Sequence, residues 1–95
     1  MPHVDLKDHQ EVDIAAVFDR HLEGEFELRD IEVVMGTMCA DPYLLHVPTM
    51  TGGVGYEAVR SFYETYFIGR WPADTKSVRL SHTVGEDRLV DELLI

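Results

Sequence analysis

His46, His82 and Glu92 are the side chains in this sequence best suited to moving a proton. A neutral imidazole titrates near neutral pH and can take a proton from one atom and return it to another. His46 falls in the apolar run Tyr43-Leu44-Leu45-His46-Val47 and His82 in an alternating run over 75–84, so both are expected on strands. The plainer reading of a strand histidine is a buried or rim residue with one hydrogen bond. Asp91 and Glu92 are adjacent, and on a strand they point to opposite faces, which prevents them from acting as a paired acid and base. Glu92 is the one expected to face a cavity; the alternative is a carboxylate held by Arg79 or Arg88.

A ligand-binding role is expected for Tyr43, Met50, Tyr63, Tyr66 and Trp71, whose hydroxyls, indole and adaptable thioether can orient a molecule in an otherwise apolar site. Core packing is the simpler account of the aromatic helix face, and Met35 and Met38 read as filler. Cys39, the single cysteine, follows an apolar stripe and has no neighbouring histidine, so a buried inert thiol is expected. No metal site is expected, because His3 and His9 stand near the N-terminus and no HxxxH pair occurs. No cofactor is implied. The glycine turn 51–55 lacks the GxxxxGK[ST] pattern of a phosphate loop.

These residues belong to a 95-residue chain, enough for one small domain over 1–95. The net charge of −10 comes from 18 acidic against 8 basic residues, and the basic residues form no run, which makes nucleic acid and anionic membranes poor partners. One cysteine permits no internal disulfide and suggests a reducing, cytoplasmic setting. The first residues carry no secretory pattern, and no apolar run approaches the ~20 residues of a membrane span.

The positioning elements follow from periodicity. Asp8 and Glu11 have the spacing of a helix start, and Ile14, Phe18, Leu22 and Phe26 repeat every four residues, which predicts a helix over about 9–26. Asp30 caps a second, over about 30–40, that Asp41-Pro42 ends. A strand over 43–47, apolar enough to be covered on both faces, leads through the flexible glycine turn to a third helix at 56–69, with Val59, Phe62, Tyr63, Tyr66 and Phe67 on its buried face. Alternation over 75–84 predicts a strand with one buried face, and 89–95 is its returning hairpin partner. The class is α+β.

In the long first helix, the HVPTMTGGVG segment at 46–55, Arg60-Ser61-Phe62-Tyr63 and Val90-Asp91-Glu92, the chain resembles the nuclear transport factor 2-like superfamily and, within it, the SnoaL-like polyketide cyclase group. The resemblance implies a cone: helices packed on a curved antiparallel sheet, with an apolar cavity at the open end. It also implies further strands after the equivalent of Glu92, so the sheet is expected to be incomplete within one chain. Leu89, Val90, Leu93, Leu94 and Ile95 would then lie in an interface with a second copy, as a homodimer or a dimer of dimers. Three readings stay open: a self-associating pocket protein for a small apolar ligand, a SnoaL-like enzyme of cyclisation, isomerisation or dehydration, and a structural assembly module whose cavity is filled.

Overall fold

The computed structural model describes residues 13–95, and the expected helix start at Asp8 and Glu11 lies outside them. The first described helix, α1 (Ile14–Leu22), begins instead behind Asp13, whose extended backbone and carboxylate, accepting from the Ala16 amide at 3.0 Å, form an N-cap. It runs into a wider π-helical turn, Glu23–Glu27, closed by the Leu28 amide donating to the Glu23 carbonyl at 2.8 Å. That turn buries Gly24, Glu25 and Phe26. Gly24 lets α2 approach closely: a Cβ there would stand 2.9 Å from Val33 Cγ1, so a larger residue would require the valine side chains to shift.

Arg29 takes a left-handed conformation, φ 51°, and Asp30 caps α2 (Ile31–Gly36) by accepting from the Glu32 amide at 2.9 Å. The helix stops short of the expected residue 40. Thr37 Oγ1 donates to the Val34 carbonyl at 2.7 Å, closing the last turn with a side chain. Cys39 thus falls beyond the apolar stripe and is exposed, contrary to the expected buried thiol.

β1 (Tyr43–His46), the 3-10 turn Val47–Thr49 and β2 (Thr51–Val54) make an antiparallel ribbon in which Tyr43 pairs with Val54 and Leu45 with Gly52. The stretch read as a flexible turn is therefore a strand, since the chain has already reversed through Pro48 and the left-handed Met50. β1 is covered on one face only: Leu44 and His46 are half-buried toward α3 (Tyr56–Phe62) and the core, whereas Tyr43 and Leu45 on the other face are exposed. α3 ends, as α1 does, in a π-helical turn, Tyr63–Phe67.

The core lies between α2 and α3: Val34, Met35, Val59, Phe62 and Tyr63. Tyr66, expected on the buried face, is exposed, since the wider turn advances fewer degrees per residue and rotates it off the stripe. β3 (Val78–Val84) and β4 (Leu89–Leu94) form a second antiparallel hairpin. Every residue of β3 is exposed, so the expected buried face is absent, and a pairing irregularity between Arg79 and Ser81 breaks the alternation on which it rested. The class is α+β, and the described residues form three α-helices and two two-stranded antiparallel sheets. No helix among the described residues is long and apolar enough to cross a membrane.

The ribbon rests on α3 through Gly53, where a Cβ would come within 2.7 Å of the Ala58 backbone carbon. Gly53→Ala should therefore lower stability in urea unfolding by about 1–3 kcal/mol, the usual cost of forcing atoms into a packed contact. Gly36→Ala, at an uncrowded helix end, should instead raise it by about 0.4–1 kcal/mol.

Candidate functional site

Four polar side chains from three elements converge beside the core. His21, on α1, is in contact through Nδ1 with Thr37 Oγ1 at 2.8 Å and through Nε2 with Glu25 Oε2 at 2.8 Å. Tyr63 donates its hydroxyl to the same Glu25 oxygen at 3.0 Å and lies 3.2 Å from His21 Nε2. The pair is largely out of water, with 13% and 8% of the His21 and Glu25 side chains exposed.

Local structure explains the convergence. His21 and Glu25 are four residues apart and so share one helix face. The π turn then draws Glu25 inward, and the turn at Tyr63 presents the phenol from the opposite wall. Phe18 stacks on the His21 ring with centroids 5.9 Å apart, and Tyr63 meets it edge-on.

Counting protons orders the network. Thr37 Oγ1 reaches both the Val34 carbonyl and His21 Nδ1, so its single hydrogen goes to Val34 when Nδ1 carries a proton and is free to go to Nδ1 when it does not. Tyr63 gives its hydrogen to Glu25. His21 Nε2 and Glu25 Oε2 stand 2.8 Å apart, a hydrogen-bond distance between an imidazole and a carboxyl group. Burial, reinforced by the charge and hydrogen bond of Glu25, pushes the Tyr63 phenol far above its ordinary range, which keeps it a donor.

The network forms part of the wall of an open cavity of about 430 Å³. Ile14, Val17 and Phe18 from α1, with Met38, Leu44 and Leu89, supply an apolar lining. His21, Thr37 and Tyr63 supply the polar part, and Asp87 and Arg88 of the hairpin loop complete it. Arg88 binds its own neighbour, donating from Nε to Asp87 Oδ1 at 3.0 Å.

Of the ligand-binding residues expected from sequence, Tyr63 alone lines this cavity. Tyr43, Met50 and Tyr66 are exposed outside it, on the ribbon and the far side of α3. Trp71 is wedged between Phe26 and Phe67, its indole N–H buried without an acceptor among the described residues.

The expected proton carriers are dispersed. His46 packs against Phe62 and shares a hydrogen with Thr49 Oγ1 at 2.8 Å. His82 is hydrogen-bonded to Asp91, and Glu92 is exposed and accepts from Ser81 at 3.3 Å. Asp91 and Glu92 do point to opposite sides: the Asp91 side chain is 2% exposed and held by Arg79 and His82. Burial alone would raise its carboxyl, but these hydrogen bonds outweigh it and hold it below the ordinary range. Leu89 joins the cavity wall and Leu93 is half-buried, whereas Val90, Leu94 and Ile95 are exposed.

His21 and Glu25 carry a signal that was legible but easy to pass over. With Phe18 they fall at i, i+3 and i+7, so two polar residues occupy an apolar stripe. Among the described residues no group of three or more His, Cys, Asp and Glu is placed to hold a metal ion.

Tyr63→Phe should cost about 1–3 kcal/mol at neutral pH, because Glu25 loses a buried donor. The folded chain keeps the Tyr63 proton where the unfolded chain, with an ordinary value of 10.0, has released it. That contribution is complete below this value and is lost as the pH rises above it. Urea unfolding across the alkaline range should therefore show the wild type falling toward the variant; a constant gap would contradict the geometry. Compared with protein-family models, with curated proteins and with solved structures, the chain matches none of them.

Proposed function

We propose that this chain is a self-associating pocket protein that binds a small, mainly apolar molecule carrying one hydrogen-bonding oxygen, in the manner of a nuclear transport factor 2-like domain. The observation that carries the reading is the apolar cavity with the His21, Thr37 and Tyr63 side chains in its wall. Apolar walls supply affinity without direction, and a few convergent polar atoms supply orientation. A cavity of about 430 Å³ suits one small molecule and argues against an assembly module packed solid. Exposed apolar side chains on both hairpins, Tyr43, Leu45 and Val54 on the first and Val90, Leu94 and Ile95 on the last, support the self-association part.

One observation favours a second reading, an acid and base enzyme. His21 and Tyr63 in the cavity wall are the pair that exchange at a carbon beside a carbonyl requires: a base to accept a proton, relayed by Glu25 behind it, and a hydroxyl that steadies the oxygen once it turns from Glu25 to the ligand. In this reading His21 and Glu25 move the proton, in place of His46, His82 and Glu92.

A panel of small hydrophobic carbonyl compounds should separate the readings. A ligand at about 100 times its Kd stabilises the native state by ~2.7 kcal/mol, several degrees in melting temperature for a chain of this size. Val17→Arg, at the apolar wall, should abolish the shift. Absence of any shift across the panel would count against binding. Incubation in heavy water tests the enzyme: deuterium should enter the compound beside its carbonyl with the wild type and not with Glu25→Gln, whereas incorporation unaltered in that variant would remove the proton-transfer role.

A further inference from the structure

We infer that the outer face of the β1–β2 ribbon is a contact between two copies of this chain, an inference that rests on the self-association proposed above and names the surface that performs it. Alternation sorts the ribbon into two faces. Leu44 and Gly53 turn inward to the helices, and the pairs Tyr43 with Val54 and Leu45 with Gly52 turn outward. The outward apolar side chains are open to an unusual degree: Tyr43 is 81% exposed, Leu45 61%, Met50 71% and Val54 84%. Together with Val47 they present on the order of 600 Å², close to the roughly 800 Å² that each partner contributes to a standard interface.

Three observations select a second copy as the occupant. First, each chain carries a net charge of −10, so two copies repel unless they meet where charge is absent. From Pro42 to Tyr56 the sequence contains no Asp, Glu, Lys or Arg. The other exposed apolar face, on β4, places Glu92 between Val90 and Leu94 and is flanked by Glu86 and Asp87.

Second, the ribbon carries both a projection and a recess on the same face. Leu45 stands beside Gly52, which has no side chain and admits none: at φ 152° a Cβ there would lie 2.0 Å from the Leu44 carbonyl oxygen. A two-fold contact demands such self-complementarity, since each copy must offer both halves of the fit. Leu45 of one copy can then seat over the bare Gly52 backbone of the other.

Third, the face is anchored and does not require rearrangement to be used. Its inner side is held on α3 by the Gly53 approach to Ala58, and the Gly55 amide donates to the Pro42 carbonyl at 2.8 Å. A pre-formed surface loses little conformational freedom on association.

The deciding measurement is solution mass by sedimentation at micromolar to ~100 µM chain, with Val54→Glu and Leu45→Ser compared with the wild type and with Val90→Glu. Both ribbon positions face solvent, and Leu45→Ser adds no charge, so it decides the matter if Val54→Glu disturbs the ribbon. The ribbon variants should weaken the copy-to-copy contact ~30-fold or more, the effect of disrupting the centre of an interface. Val90→Glu should leave this contact intact. Raising salt should tighten wild-type association by screening like charges, whereas attraction between opposite charges would weaken it. A self-associating wild type whose mass the ribbon variants leave unchanged, or whose association weakens with salt, overturns the inference while the self-association reading stands. A wild type of single-chain mass at the highest concentration overturns both.

Discussion

A carboxylate taken out of water must be met by donors, and beside the core of this chain that requirement falls on Glu25. It sits on the buried side of a helix end with 8% of its side chain exposed, and its partners are one imidazole and one phenol. Satisfying it draws three segments into register. α1 must extend through a wider turn to bring Glu25 inward, α2 must stop at Thr37 so that a hydroxyl meets His21, and α3 must present Tyr63 from across the core. The cavity follows from the same arrangement, because its polar wall is the outward side of the network that keeps Glu25 paired.

The two hairpins relate to this centre differently. The β1–β2 ribbon lies along α3 and belongs to the packed body. The β3–β4 hairpin is tied to α1 largely by polar contacts: Arg79 reaches both Asp19 of α1 and Asp91 of β4 at 2.8 Å. An exposed ion pair contributes little. Leu89, Asp87 and Arg88 nevertheless reach the cavity, so this loosely held hairpin contributes part of the site. Arg29 plays the corresponding role at the other end, donating to the carbonyls of Trp71, Pro72 and Ala73 and so holding the connection into β3.

Both wide helical turns carry a residue of the polar network, and both depart from the 3.6-residue helical period. Helical spacing correctly placed Phe62 and Tyr63 in the core, but beyond Tyr63 the extra residue in the turn rotates Tyr66 outward. Likewise, strict alternation over 75–84 suggested a buried strand face, while the structure interrupts the pairing near Leu80 and leaves all of β3 exposed. Periodicity reports which face is apolar; it does not report whether anything covers that face.

The sequence by itself determined the α+β class, the cap at Asp30, the final hairpin and the opposite orientation of Asp91 and Glu92, because each depends on neighbours a few residues apart. Only the tertiary structure decided that the polar centre is His21, Glu25, Thr37 and Tyr63 and not His46, His82 or Glu92. The Tyr63 and Glu25 partners are 38 residues apart in the chain, and which acceptor a buried donor finds is set by packing across that distance. Local spacing could show that a polar group lay on an apolar stripe; it could not show what would meet it there.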